Sequence, residues 1–313
     1  MAPPCSPSPF ADLAFVRGFV RMCDDGWRQG WHERNGGNAS YRMTAADVAE
    51  SRPLMSEADA WTPLDVRAPQ LAGAHFLVTV TGSFMRYAAE EPARTCGIVE
   101  IDNVGAAYRR VCGFDGDGRP TSEFSGHMLI HAAYAAGEGE QGSDGERGDA
   151  ALFTDPASRA ASPSSLVTPP PRVVYHAHPV PVIALSKLLS PDAAAWSRAL
   201  WRAMTECVMV FPEGVGVVGF EVPGSMELAR ASAEQAACGK RAVVWAHHGL
   251  LCAGTSFDDA FGRMHAIVKA ADIHNTALAV NGVSSSFASN VTDGELRAIA
   301  KSLGLALNES YLA

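Results

Sequence analysis

The stretch VVYHAHPVPV, residues 173–182, places two histidines one residue apart after a short apolar run. Such a run, followed by prolines, is typical of a buried strand that ends near the second histidine. Side chains two residues apart on a strand point to the same face, so His176 and His178 should project side by side. Two imidazoles on one strand would supply half of a tetrahedral zinc site. They could equally be hydrogen-bonded core histidines, which is the favoured interpretation of an isolated pair.

A second apolar strand also ends in histidines. VVWAHHGLL, residues 243–251, carries His247 and His248 just before a glycine, which lets the chain turn sharply back toward a cleft. One histidine from this end would complete a three-histidine site and leave the fourth metal position for substrate, as catalytic zinc requires. Adjacent residues face opposite sides, so periodicity does not choose between His247 and His248.

A competing cluster lies on a predicted helix. Glu123, His127 and His131 are four residues apart and therefore lie roughly on one helix face. Over more than two turns such ligands spread along the helix axis, so one ion would reach only two of them. We expect His127 and His131 to be packing or hydrogen-bonding residues instead.

The start of that helix has two interpretations. Thr121 and Ser122, with free N–H groups of the first helical turn, could hold a phosphate, and Glu123 beside them could move protons. The same residues would also make an ordinary helix cap. The motifs NGGN and TGS are equally ambiguous, because each could be a simple turn or a loop that wraps backbone N–H groups around phosphate.

The rest of the chain alternates between strands and helices. The apolar spacing of Leu13, Val16, Val20, Cys23 and Trp27 predicts a helix over 11–29. Further strands are predicted at 75–83, 173–178, 207–211, 215–220 and 242–247. Further helices are predicted after 121, from about 191, from about 225 and over 256–279. The buried face of the last helix is predicted to consist of Phe257, Phe261, Met264, either Ile267 or Val268, and Ala271. This order predicts one α/β domain over 10–313, with a central mixed or antiparallel sheet flanked by helices.

Residues 137–172 interrupt this order. They are dense in glycine, serine, proline and charged residues, which predicts a mobile, disordered surface insertion.

Composition excludes several classes of protein. The 313 residues are 47% hydrophobic and carry a net charge of −9, which argues against nucleic-acid binding. No apolar run reaches the roughly 18 residues of a membrane helix, and the first ten residues lack the features of a secretory signal. Seven cysteines without a CxxC pair favour a reduced, cytoplasmic context.

Six motifs in this order resemble the class II aldolase/adducin family. They are WHERNGGNASYR, VTGS, PTSEFSGHMLIH, HAHPVPVIALS, TECVMVFPEGVG and WAHHGLLCAG. Apart from the insertion, the resemblance runs from about Phe10 to about Ala279. ERNGGN and TSEF point to the branch of the family that cleaves L-rhamnulose 1-phosphate to dihydroxyacetone phosphate and L-lactaldehyde.

The resemblance implies one zinc ion per subunit, held by His176, His178 and His248. Cleavage would leave an enediolate whose charge the zinc stabilises. Glu123 corresponds to the family's acid/base residue at the dihydroxyacetone phosphate carbon.

The resemblance also implies a phosphate site and an assembly. The phosphate would be bound by residues from three loops, namely Asn35, Gly37, Asn38, Ser83, Thr121 and Ser122. Glu206 matches a glutamate that reaches the active site of a neighbouring subunit, with an assisting catalytic role near the aldehyde half of the substrate. A homotetramer with active sites at subunit contacts follows.

One motif departs from the family pattern. The phosphate loop usually reads TGSGK and here reads TGSFMRY, about two residues shorter. Ser83 is retained, but weaker phosphate binding or a different phosphorylated ketose would be consistent with this loop.

Other functions remain open at this point. A fuculose-phosphate aldolase, a pentulose-phosphate 4-epimerase or a methylthioribulose-phosphate dehydratase would share the fold and the zinc. A non-catalytic scaffold like the adducin head would have no use for the three histidines and Glu123 together. A zinc hydrolase would act on esters or peptides, and the sequence lacks an HExxH helix.

Overall fold

The computed structural model describes residues 9–136, 169–281 and 289–312. Within these residues a single nine-stranded sheet forms the centre of the molecule. Its strands are β1 (Asn38–Arg42), β2 (Thr62–Pro63), β3 (His75–Thr79), β4 (Cys96–Ile101), β5 (Ala107–Gly113), β6 (Val173–Ala177), β7 (Gly216–Val218), β8 (Ala242–Trp245) and β9 (Gly249–Gly254). The helices are α1 (Ala14–Arg28), α2 (Ala45–Ser51), α3 (Pro92–Thr95), α4 (Phe124–Ala136), α5 (Val180–Leu185), α6 (Ala193–Ala203), α7 (Glu206–Val210), α8 (Met226–Ala237), α9 (Phe257–Asn281) and α10 (Asp293–Leu303).

The sheet is mixed, as the sequence predicts. Its strand order is β2-β5-β4-β3-β1-β6-β9-β8-β7. β7 and β8 are parallel, and the other neighbouring pairs are antiparallel. Strands β1, β3, β6 and β9 in the middle are buried at every residue. β6 and β9 are therefore largely apolar without strict alternation, because both faces of the sheet are covered, whereas β1 carries buried polar residues such as Asn38 and Ser40.

Two layers of helices cover the two faces. Tyr175 of β6 packs in one core cluster with residues of α1 and α9. Val174, the preceding residue, packs in a second cluster with residues of α4 and α8. Because alternate residues of a strand share a face, His176 lies on the same face as Val174, toward α4 and α8.

Several sequence predictions are confirmed at the level of elements. Helices form at α1, α4, α6, α8 and α9, and strands form at β3, β6, β7 and β8. In α9, Met264, Ile267 and Ala271 are buried as predicted. The predicted insertion falls largely on 137–168, which lies outside the described residues. In the part of the chain described, no helix combines the length and the apolar character that a membrane span requires.

Two predictions are wrong. The segment 207–211 is helix α7 with Phe211 after it, not a strand. An apolar run this short carries no period, and its Cys207 and Val208 are buried in the same core cluster as α6 and α9. Trp27, assigned to the buried stripe of α1, is 41% exposed near the end of that helix.

Candidate active site

The site forms where four neighbouring central strands, β3, β1, β6 and β9, begin or end on the same side of the sheet. β1 runs antiparallel to both β3 and β6, so its first residue lies beside their last residues. Asn38 at the start of β1 pairs with His176 near the end of β6. β9 is antiparallel to β6, and its first residue, Gly249, follows the turn from β8. The topology therefore brings both histidine motifs to the same end of adjacent strands.

His176, His178 and His248 converge at these strand ends. One ring nitrogen from each lies within 4.8 Å of the others. The Nε2 atoms of His176 and His178 are 3.0 Å apart. His247 is exposed, and among the described residues it does not belong to this cluster. The structure thus brings together the three residues that the family resemblance implies as zinc ligands.

Hydrogen bonds turn two of these rings toward a metal. Nδ1 of His176 lies 3.1 Å from the carbonyl oxygen of Leu250, and Nδ1 of His178 lies 2.6 Å from Oε1 of Glu33. Each oxygen only accepts, so each Nδ1 carries the hydrogen and each Nε2 offers a lone pair. Two lone pairs facing each other at 3.0 Å repel unless a proton or a metal ion lies between them.

Burial keeps the rings of His176 and His248 neutral. It lowers the pKa of His176 well below its usual value and the pKa of His248 to about 4, with the neighbouring His178 acting in the same direction. Nδ1 of His248 is buried without a hydrogen-bond partner among the described residues. Neutral imidazoles with free lone pairs are the donors that zinc prefers, so these residues fit a zinc ion.

Two neighbours shape the cluster. The Trp245 ring packs against His176 and His248, with ring centres 4.2 and 5.1 Å apart. A Cβ on Gly249 would lie 2.4 Å from the Ala177 carbonyl oxygen and 3.0 Å from Cε1 of His176. Only glycine at 249 lets the two strands approach closely enough for the three rings to meet.

Glu123 lies beside Asn38, just before α4. The Asn38 amide nitrogen donates to Oε2 of Glu123 at 3.0 Å. Burial raises the pKa of Glu123, while the hydrogen bond from Asn38 and the charge of His178 act in the opposite direction. A carboxyl group whose pKa is raised can hold a proton closer to neutral pH, which suits a general acid.

His127 and His131 are hydrogen-bonding residues rather than metal ligands. His127 contacts Asn38 and Ser40, and His131 contacts Ser40. Both rings are buried, and burial lowers the pKa of His127 to about 3. Among the described residues, neither His127 nor His131 belongs to a group of converging metal ligands.

The loops assigned to phosphate lie next to one another. Val80 and Pro120 form an isolated antiparallel bridge, and Thr81 N–H donates to the Arg119 carbonyl at 2.8 Å. The bridge joins the loop of Ser83 to the segment of Thr121 and Ser122.

The side chains assigned to phosphate differ in exposure and in the hydrogen bonds that they already make. Asn35 and Ser122 are exposed, Ser83 Oγ donates to the Val80 carbonyl at 2.7 Å, and Thr121 is buried. The Asn38 amide is already engaged by Glu123 and His127.

Gly37 is closely packed by its neighbours, whereas Glu206 is exposed to solvent. Gly37 has a φ of +77°, and a Cβ there would lie 2.4 Å from Nδ1 of His32 and 2.7 Å from the His176 carbonyl oxygen. Glu206 is exposed at the start of α7, where it accepts a hydrogen bond from Thr205 at 3.0 Å. Among the described residues of one subunit, Glu206 is not part of the histidine cluster.

Sequence reasoning missed Glu33 and Ser40. Glu33 holds His178, and Ser40 joins His127 to His131. Both stand inside the quoted motif WHERNGGNASYR, but only the pairing of β1 with β6 and the packing of α4 show what they contact.

A pocket opens beside Glu123. Its empty volume, open mouth included, is about 470 Å³, and Ser122, His127, Met226 and Trp245 are among its lining residues.

Comparison with known proteins identifies the family. The family described as "Class II Aldolase and Adducin N-terminal domain" matches residues 166–275. A rhamnulose-1-phosphate aldolase from Listeria monocytogenes is 31% identical over 301 residues, covering 96% of this chain and 97% of that protein. One from Shigella boydii is 32% identical over 299 residues, with the same shares.

Solved structures agree on the fold. The sugar-phosphate aldolase from Thermotoga maritima superposes with a TM-score of 0.61 at 24% identity, covering 86% of this chain and 96% of that one. With its sheet, its histidine cluster and these relatives, the chain belongs to the class II aldolase and adducin family and is an aldolase, a lyase of carbohydrate metabolism.

Proposed function

We propose that the enzyme is a zinc-dependent aldolase that cleaves L-rhamnulose 1-phosphate to dihydroxyacetone phosphate and L-lactaldehyde. The observation that carries this proposal is the convergence of His176, His178 and His248 near Glu123, a carboxyl group whose pKa is raised. The two bacterial relatives named for this activity are matched over nearly their whole length. The proposed catalytic domain extends over 10–313.

One zinc ion per subunit would be held by His176, His178 and His248. When bound, it would supply a Lewis acid that withdraws electron density from the oxygens of the ketose. Glu33 and the Leu250 carbonyl support this role, because they fix the two rings of the HxH strand with their Nε2 lone pairs outward.

Glu123 would transfer the proton at the dihydroxyacetone phosphate half. When the carbon–carbon bond breaks, its electron pair remains on the carbon next to the ketose carbonyl. Glu123 delivers a proton to that carbon in the cleavage direction and removes it in the synthetic direction. The raised pKa of Glu123 supports the first half of this role.

The phosphate group would be held by Asn35, Gly37, Asn38, Ser83, Thr121 and Ser122. The bridge between Val80 and Pro120 supports this grouping, because it holds two of the contributing loops together. Hydroxyl and N–H donors would take the place of a lysine, as in other loops that bind phosphate.

We also propose a homotetramer with active sites at subunit contacts, in which Glu206 assists at the aldehyde half of a neighbouring subunit's substrate. Glu206 is exposed, and Met209 on the same short helix exposes 41% of its surface.

A cytoplasmic location is proposed from the six free cysteines of the described residues.

A coupled assay for dihydroxyacetone phosphate tests the proposal. Purified enzyme is given L-rhamnulose 1-phosphate with and without a chelator, and zinc is measured in the same sample. We expect release that the chelator abolishes and added zinc restores. Bound zinc without release would contradict the substrate and direct the assay to other phosphorylated ketoses, beginning with L-fuculose 1-phosphate. Release that the chelator leaves unchanged would contradict the metal-dependent mechanism.

A further inference from the structure

A line of buried polar side chains runs from Glu123 into the core between β1 and α4. The Asn38 amide nitrogen is 3.0 Å from Oε2 of Glu123, and its Oδ1 is 2.6 Å from Nε2 of His127. Nδ1 of His127 is 2.7 Å from Oγ of Ser40, which is 2.9 Å from Nε2 of His131. Ser40, His127 and His131 are at most 1% exposed. The proposed mechanism uses only the first member of this chain directly.

The hydrogen atoms of this chain can all point the same way. Each buried ring is neutral and carries one N–H. With the Asn38 amide donating to the carboxylate, Oδ1 of Asn38 must accept from Nε2–H of His127. Nδ1 of His127 then accepts from the Ser40 hydroxyl, whose oxygen accepts from Nε2–H of His131. Every donor in the chain therefore points toward Glu123.

The far end of the chain favours this direction over the reverse. Nδ1 of His131 is buried without a hydrogen-bond partner among the described residues. In the direction toward Glu123 this atom is a bare lone pair. In the reverse direction it would be a buried N–H without an acceptor, and orphaned buried N–H groups are the rarer and more costly case. His131 thus biases the orientation of every group between itself and Glu123.

We propose that His127, with Ser40 and His131 behind it, is a positioning residue that fixes Asn38 as a donor to Oε2 of Glu123. This rests on the proposed function, in which Glu123 transfers the proton. With Oε2 occupied by the amide, Oε1 is the oxygen that carries the proton.

The proton balance is preserved. In cleavage the proton leaves Oε1 for the carbon that the aldehyde has vacated, and Oε2 keeps its hydrogen bond throughout. The hydroxyl group of the aldehyde half releases one proton to solvent in the same turnover, and Oε1 takes one proton back from solvent, so the enzyme returns to its starting state. Without His127, the Asn38 amide could rotate and present its oxygen to the carboxylate.

Three variants test the role of His127. His127→Phe keeps a ring but removes both hydrogen bonds. His127→Gln places an amide N–H near the position of Nε2 and restores the donor to Asn38. Tyr134→Phe is the matched control, because it removes another buried hydrogen bond of α4, from the Tyr134 hydroxyl to the Lys240 carbonyl at 2.7 Å.

Two readouts apply to the zinc-loaded enzyme. Nitrogen-15 NMR of histidine-labelled protein should show His127 and His131 as neutral rings with the hydrogen on Nε2, assigned by their loss in variants. In steady-state kinetics, His127→Phe should lower kcat by about ten-fold or more with zinc content unchanged. His127→Gln should recover most of that loss, and Tyr134→Phe should change kcat by less than about two-fold.

Several results would overturn the proposal. One is a His127 ring that is charged or carries its hydrogen on Nδ1. Another is a kcat in His127→Phe that equals that of Tyr134→Phe. If His127→Phe does not fold, Ser40→Ala serves instead, and an unchanged kcat in this variant would also reject the chain. Failure of the proposed function looks different, because the wild type would then release no dihydroxyacetone phosphate, or Glu123→Gln would retain cleavage, whatever the histidine tautomers are.

Discussion

Ser186 holds His247 away from the histidine cluster through two contacts to one oxygen. Its Oγ accepts from the backbone N–H of His247 at 3.0 Å and lies 3.2 Å from Nδ1 of the same residue. His247 has a φ of +65°, which is uncommon for a residue other than glycine. This turn leaves His247 exposed and directs His248 toward His176 and His178.

Replacing His247 and His248 singly should therefore separate their roles. We expect His248→Ala to lose zinc and cleavage together, with metal affinity lowered at least about a hundred-fold, because a three-ligand site becomes a two-ligand site. His247→Ala should keep zinc and most of the cleavage rate. Zinc per subunit after dialysis, measured by elemental analysis beside the rate, checks both variants. A metal-free His247→Ala enzyme would reverse the assignment.

Glu33 should tune the metal without touching it. Its Oε1 lies 2.6 Å from Nδ1 of His178, although the Glu33 side chain is 66% exposed. A carboxylate in this position fixes the tautomer of a metal-binding histidine and raises its basicity. We expect Glu33→Gln to weaken zinc binding by about ten-fold, the lower end of such effects, because the contact is open to water.

Competition with a chromogenic chelator measures that affinity without any substrate. Glu90→Gln, at an exposed site, is the control for the loss of one negative charge. Equal zinc affinity in the Glu33→Gln and wild-type proteins would show that the contact with His178 has no role in metal binding.

The buried His127 should make folding stability depend on pH. Burial lowers its pKa from 6.5 to about 3. The unfolded chain therefore binds the extra proton first, so this contribution to stability is complete above pH 6.5 and is lost as the pH falls toward 3. Between pH 7 and 5.5 the wild type should lose about 1 kcal/mol more than His127→Phe.

Urea unfolding curves of the metal-free protein, recorded at a series of pH values and one fixed protein concentration, check this difference. Tyr134→Phe should run parallel to the wild type, since it leaves His127 in place. Parallel curves for the wild type and His127→Phe would mean that the folded protein tolerates a charged ring at this position.

The part of the site that was predictable from the sequence lies within single elements. The period of two along β6 places His176 and His178 on one face, and it needs no information from elsewhere in the chain. The alternation of strands and helices likewise predicts a mixed sheet with helical layers. Here local sequence and tertiary structure agree.

The remaining parts depend on contacts between distant residues. The choice between His247 and His248 rests on Ser186, which is 61 positions from His247, and the role of Glu33 rests on His178, which is 145 positions away. Strand β1, at Asn38–Arg42, was not predicted, because its short sequence becomes a strand only between β3 and β6. Tertiary pairing overrides local pattern in such segments.

Mixed assemblies test whether Glu123 and Glu206 meet across subunits. Glu123→Gln and Glu206→Gln should each keep zinc and lose most of their turnover when assembled alone. In a co-expressed one-to-one mixture, a subunit with intact Glu123 can receive an intact Glu206 from a neighbour. About a quarter of the sites would then hold both carboxylates, if subunits mix at random in a closed ring.

We therefore expect the mixture to recover up to about a quarter of the wild-type rate, whereas pooling the two separately assembled variants should recover none. Light scattering on the same samples gives the number of subunits. Recovery in co-expressed samples alone requires a site built from two chains. A Glu206→Gln enzyme with normal turnover would remove Glu206 from the mechanism, and two inactive variants whose mixture stays inactive would place both carboxylates in the same subunit's site.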